Sequence, residues 1–154
     1  MDVARKIKLF FSLDHYTRLL LMEAYCFLGW ARYLKGLPFV KISPSLGEPM
    51  NETNQSCNRK DIDAIRSISE AVFIMSRHTW WESQCLVMAI AAMKMLERRH
   101  IESTLYMGIA RECNGDMSAH AWLRSGSYYV SGAVGMERFT VVATFAKRMN
   151  GKKM

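Results

Sequence analysis

The stretch Ser83-Gln84-Cys85-Leu86-Val87-Met88-Ala89-Ile90-Ala91-Ala92-Met93-Lys94-Met95-Leu96-Glu97-Arg98-Arg99 decides how the chain is read. Leu86, Ala89, Ile90, Met93 and Leu96 recur at helical steps, so the spacing predicts a helix over 82–99. Ser83 suits its N-cap, and Arg98 and Arg99 suit the end where the helix dipole favours cations. After Glu102 the texture changes. The runs 104–111, 119–124, 127–131 and 139–145 are short and rich in aromatic and β-branched residues, with Gly115 and Gly126 marking turns. Helices followed by antiparallel strands give an α+β order, with the 82–99 helix packed on a small sheet.

Toward the N-terminus, Asp61 is read as the cap of a helix reaching about His78. Its apolar face holds Ile62, Ile65, Ile68, Val72, Phe73 and Met75. Residues 41–60 carry Pro44, Gly47, Pro49 and several Asn and Ser, the signature of a loop or flexible linker. Residues 1–40 are apolar and helical: Leu9, Leu13, Tyr16, Leu20, Ala24, Phe27, Leu28, Ala31 and Leu34 keep helical spacing until Gly36 and Pro38. A helix pair packed on the body is the simpler reading. Leu19, Leu21, Met22 and Trp30 on other faces also suit a docking face for a partner or a membrane. The expectation is one domain over 1–154, made of the 1–40 segment, the 41–60 linker and a 61–154 core.

Composition bounds this further. The chain has 154 residues, half of them apolar and three of them proline, enough for one core without a disulfide or metal staple. Collagen, low-complexity disorder and small disulfide scaffolds are excluded. The net charge of +7 favours acidic partners. The basic groups are Arg5, Lys6 and Lys8, then Lys94, Arg98 and Arg99, then Lys147, Arg148, Lys152 and Lys153. None reaches the run of roughly five to eight that marks a nucleic-acid tail, so no nucleic acid is expected. Cys26, Cys57, Cys85 and Cys113 form no CxxC pair, which points to a reducing, cytoplasmic compartment. Cys26, in an apolar run, is read as buried. The N-terminus makes a poor signal peptide, and 19–31 contains Glu23 and is too short to span a bilayer.

Two residues carry chemistry. Cys85 falls just inside a helix start, where unpaired N–H groups and the dipole stabilise a thiolate. His120, in Ala119-His120-Ala121-Trp122, begins a strand, and a nearby imidazole takes a thiol proton and later returns it to a leaving amine. Each also has a bland reading, as a small buried hydrophobe and a structural histidine. Zinc on Cys85, Cys113 and His120 has unsuitable spacing, and no Gly-rich phosphate loop exists, so neither metal nor cofactor is expected.

Taken in order, Trp80-Trp81-Glu82-Ser83-Gln84-Cys85-Leu86, the helix end Leu96-Glu97-Arg98-Arg99-His100-Ile101, Leu105-Tyr106-Met107-Gly108-Ile109 and Ala119-His120-Ala121-Trp122-Leu123 form a pattern. It resembles the stand-alone lasso-peptide maturation proteases, leader peptidases of the transglutaminase-like, papain-type cysteine protease group. The tail Val130-Ser131-Gly132-Ala133 through Glu137-Arg138-Phe139-Thr140 and the N-terminal segment ending Leu37-Pro38-Phe39 are similar too. The resemblance implies a transglutaminase-like, papain-like fold and removal of a leader from a ribosomally made precursor peptide. It implies a small leader-recognition protein and an asparagine-synthetase-like cyclase as partners. Cys85 would be the nucleophile, and His120 the general base and then acid. A non-catalytic peptide-binding protein on the same fold, and a transglutaminase-type acyl transferase, are the alternatives.

The wider group carries an Asp after the histidine to orient it, and this chain has none after Asp116. A tight turn at Ser125-Gly126 would set Ser131 opposite His120, making Ser131 the candidate third member. Glu137, Asp116 and a backbone carbonyl are the other candidates. The Cys85 N–H is the natural oxyanion donor, with Gln84 or an indole N–H of Trp80 or Trp81 as a second. Both tryptophans also read as core or cleft wall. Trp122, projecting to the same face as His120, is expected to shield the imidazole.

Overall fold

The computed structural model describes residues 2–149, so Lys152 and Lys153 of the last basic group lie outside the described residues. In chain order the elements are α1 (Val3–Ser12), α2 (His15–Lys35), α3 (Phe39–Leu46), β1 (Glu48–Pro49), α4 (Arg59–Ser76), α5 (Cys85–Glu97), β2 (Ser103–Arg111), β3 (Met117–Ser125), β4 (Tyr128–Ser131) and β5 (Thr140–Lys147). The short 3-10 turn Met136–Arg138 precedes β5. The strands form one antiparallel sheet in the order β1-β5-β2-β3-β4. This is the expected α+β architecture.

Helix α5 is its centre. Val87, Ala89, Ile90, Ala91, Ala92, Met93, Met95 and Leu96 are all buried, so its apolar surface runs all the way round rather than along one stripe. Such a helix needs neighbours on every side. Helices α2 and α4 pack on one side, and β2, β3 and β4 on the other. The three alanines let those neighbours approach closely. Helix α2 contributes Leu20, Leu21, Ala24, Leu28 and Ala31, and α4 contributes Ile65, Ile68, Ala71 and Val72. Helix α1 buries nothing. Among the described residues no helix is long and apolar enough to cross a membrane.

Several local expectations are corrected. Helix α4 begins before Asp61, and its N-cap is Asn58, whose side chain accepts from the Lys60 N–H at 3.3 Å. Cys26 is exposed, because it falls on the side of α2 away from Ala24 and Leu28. The 41–60 segment is built into the domain instead of linking parts of it. Helix α3 buries Ile42 and Leu46, and β1 pairs Glu48 with Ala146 and Pro49 with Phe145. Beyond it, the Thr53 N–H donates to Thr104 Oγ1 at 2.8 Å. Arg124, 5% exposed, donates to Thr53 O at 3.1 Å, Gly126 O at 2.7 Å, Tyr106 Oη at 2.9 Å and Glu52 Oε2 at 3.2 Å. The asparagines Asn51, Asn54 and Asn58 do fall in irregular backbone, whereas Pro44 lies inside α3 and Pro49 in β1. The anchor lies on β3, far along the chain.

Glu97 ties the end of α5 to the sheet, pairing with Lys94 at 2.8 Å and Lys147 at 3.1 Å. Burial alone pushes its carboxyl up, but hydrogen bonds and charge from the two lysines outweigh this and hold it below the ordinary value. A depressed carboxylate stabilises the fold above its unfolded pKa of about 4.3 and loses that contribution as pH falls through the folded value. Urea titrations between pH 6 and pH 3 should therefore show a shallower acid loss of stability in Glu97→Gln than in wild type. Identical slopes would contradict the linkage.

Candidate active site

Cys85 is the first residue of α5. Gln84 takes the N-cap position in extended backbone, and its side chain caps nothing. Ser83, the expected cap, is held elsewhere: its hydroxyl lies 2.8 Å from Thr79 Oγ1, which also donates to Trp81 O at 3.0 Å. The bond from Met88 N–H to Gln84 O at 3.0 Å closes the first helical turn. The N–H groups of Cys85, Leu86 and Val87 thus lack partners within the helix. Cys85, half-buried, stands at the positive end of the helix dipole.

His120 lies in β3 opposite Gly108 of β2. Its ring sits beside Trp122 (centroids 5.8 Å apart, 28° between planes) and Phe139 (5.0 Å, 33°). A Cβ at position 108 would fall 2.8 Å from Phe139 Cβ and 3.0 Å from the Trp122 ring. Glycine at 108 therefore lets both aromatic groups close beside the imidazole. His120 Nε2 is 2.7 Å from Gly132 O. A carbonyl only accepts, so Nε2 carries the proton and, in the neutral ring, Nδ1 holds the lone pair. Nδ1 is then the nitrogen available to a thiol.

Cys85 and His120 line the same two cavities. One, of about 560 Å³, adds Met88, Ser131, Gly132 and Val134. The other, of about 420 Å³, adds Gln84, Met107, Gly108, Ile109 and Val142. The pair therefore stands where the two cavities meet. A model of the transglutaminase-like superfamily matches residues 25–144, a span that includes α4, α5, Cys85 and His120. The chain belongs to the transglutaminase-like superfamily. No curated protein and no solved structure matches it significantly. Transglutaminase-like proteins include cysteine peptidases and acyl transferases, which share thiolate attack on an acyl carbon.

In this transglutaminase-like domain the orienting group is the Gly132 carbonyl, not Ser131. The β3–β4 hairpin closes one residue later than a Ser125-Gly126 turn requires, pairing Ser125 with Tyr128. A bulge then sets Ser131 against Leu123, leaving Gly132, just past the strand, to reach His120. The Ser131 hydroxyl is buried with no hydrogen-bond partner. Neither other acidic candidate orients the ring. Glu137 is exposed in the 3-10 turn, and Asp116 is bonded to Asn114 in the β2–β3 turn.

The remaining site expectations divide. Gln84 lines a cavity beside Cys85. Trp122, 5% exposed, covers the imidazole as expected and stacks on Tyr106 in turn (5.6 Å, 9°). Trp80 is 87% exposed. Trp81 lies on α2, 3.4 Å from the Cβ position of Gly29, with Tyr25 at 5.0 Å between centroids. Neither tryptophan lines either cavity, so neither indole serves the oxyanion there.

Residue-type reasoning missed Gly108, Phe139 and Gly132. Only the Ser-Gly-Ala after a strand hinted at the last. Gly132 has φ +72°, and a Cβ there would collide with Ala121 O and approach Trp122 Cβ to 2.9 Å. Gly132→Ala is therefore expected to cost about 1–3 kcal/mol through backbone strain and overlap. It should also shift the carbonyl from His120 and slow alkylation of Cys85. Urea titration and iodoacetamide kinetics check both parts. Unchanged alkylation would show that the carbonyl does not position the ring.

Proposed function

We propose that this chain is a cysteine peptidase that removes the leader from a ribosomally made lasso-peptide precursor. The observation that carries the proposal is that Cys85 and His120 line the same two cavities. Cys85, at an uncapped helix start, shares its cavities with an imidazole whose Nε2–H is engaged by the Gly132 carbonyl. His120 Nδ1 takes the thiol proton, and the thiolate adds to the scissile carbonyl. The oxyanion accepts from the Cys85 N–H and from Gln84. The imidazolium then protonates the departing amine, leaving a thioester on Cys85. His120 next draws a proton from water, whose oxygen attacks the thioester, and the proton returns to the leaving thiolate. The product is a leader with a free carboxylate.

The substrate class rests on the sequence resemblance, which runs through the cysteine helix, the histidine strand and the tail. On this reading the chain works in the cytoplasm. A separate recognition protein holds the leader, and an asparagine-synthetase-like cyclase receives the freed amine. Acyl transfer uses the same pair and differs only in the acceptor. The test is to incubate the chain with a lasso-peptide precursor and its recognition protein and weigh the leader fragment. The expected mass is that of the free acid. An amide formed with added amine would replace hydrolysis by transfer. Tight binding without any fragment would make the chain a non-catalytic binding protein.

A further inference from the structure

Glu70 of α4 lines the larger of the two cavities shared by Cys85 and His120. Among the described residues it takes part in no ion pair, although basic groups outnumber acidic ones by 21 to 14. The nearby guanidinium of Arg77 lies over the Phe73 ring at 5.8 Å and lines a different cavity. The opposite cavity has no such unpaired charge. Its Lys35 is neutralised by Glu82 at 3.0 Å.

The lining also holds apolar Phe73, Met88, Val130 and Val134, of which Phe73 and Val134 are exposed, as is Glu70. Of the two serines in the lining, Ser69 donates its hydroxyl to Val130 O at 2.6 Å, whereas Ser131 is 9% exposed and its hydroxyl has no partner. A buried hydroxyl left unpaired is costly, and an incoming ligand that bonds it removes that cost. An unpaired carboxylate above apolar walls suits a side chain with a long alkyl stem and a cationic tip.

We propose that this cavity is a substrate subsite for a lysine or arginine side chain. Glu70 pairs with its cation, and the Ser131 hydroxyl bonds the peptide's main chain. The proposal rests on the peptidase reading and specifies which residue that peptidase accepts beside the reacting bond.

N-acetyl-lysyl and N-acetyl-norleucyl chloromethyl ketones test it, because they differ only by the terminal ammonium. Versions with one glycine before the ketone move the side chain one position further out. In each, the Cys85 sulfur bonds the methylene carbon and chloride leaves, and peptide mass spectrometry reads the adduct. Rates are taken relative to iodoacetamide in the same variant. At one of the two lengths the lysyl reagent should react about fivefold faster than its norleucyl analogue, the upper end of what an exposed ion pair gives. Glu70→Gln should remove that advantage, and Glu70→Lys should invert it. Ser131→Ala should slow both reagents. Equal rates at both lengths while iodoacetamide labels Cys85, or an advantage that survives Glu70→Gln, would overturn the subsite and leave the thiol chemistry standing. A Cys85 inert to iodoacetamide as well would overturn the peptidase reading and the subsite with it.

Discussion

Cys85→Ala should abolish leader cleavage while leaving the protein folded, and His120→Ala should lower the rate by about a hundred- to ten-thousand-fold. The asymmetry follows from the site. Without sulfur no thioester forms. Without the imidazole, the sulfur nucleophile and the oxyanion donor at the helix start remain. Neither change should threaten the core. Cys85 is half-buried at the start of α5, ahead of the mostly buried stretch from Val87 to Leu96, and alanine is a good helix former. A stability change within about 1 kcal/mol is expected for Cys85→Ala, as for substitutions outside the core. The thiol can be tested without a precursor. Iodoacetamide should label Cys85 faster than the exposed Cys26 and Cys113, and His120→Ala should remove that lead. Cleavage by Cys85→Ala, or labelling of Cys26 and Cys113 that leaves Cys85 untouched, would end the nucleophile assignment.

Arg124→Ala should be the most damaging single change to stability, at about 3–5 kcal/mol. The guanidinium is buried and divides its donors among Thr53 O, Gly126 O, Tyr106 Oη and Glu52. Truncation strands the two carbonyls and loosens residues 52–54, which keep the Thr53–Thr104 bonds to β2. Glu52 is half-exposed and can recover water, so the loss falls mainly on the buried acceptors. Lysine keeps the charge but not the planar fork, and Arg124→Lys should recover only part of the loss. The damage should also reach the site. Tyr106, which Arg124 holds, stacks on Trp122, and Trp122 covers His120. Urea titration reads the stability, and limited proteolysis should nick the variant between 51 and 58. A loss under about 1 kcal/mol, or proteolysis like wild type, would show that Arg124 does not hold this segment.

Much of the fold was legible because periodicity and residue type report local structure. The apolar spacing from Leu86 to Leu96 became α5, and the four aromatic and β-branched runs became β2 to β5. Cys85 and His120 stood out as chemically able residue types, and the structure brings them to the same cavities. Long-range anchoring was not legible. Helix α3, β1 and the placement of 52–54 depend on Arg124, Thr104 and β5. The hairpin register failed for a different reason. A bulge between Leu123 and Arg124 leaves no mark in residue type, yet it moves Ser131 away from His120 and brings Gly132 to it. Ser83 failed as a cap because Thr79 competed for its hydroxyl.

The hydrogen bond from His120 to Gly132 O has one more consequence. A carboxylate in that place would be visible as a letter in the gene and would lose its charge in strong acid. A peptide carbonyl does neither. It accepts a proton donor at any ordinary pH, and no codon for another side chain deletes it. What the gene can alter is the left-handed turn that presents it, which position 132 keeps only by having no side chain. One member of this site is thus inherited as a shape of the main chain, and a comparison that matches residue types alone would count the site as having two members.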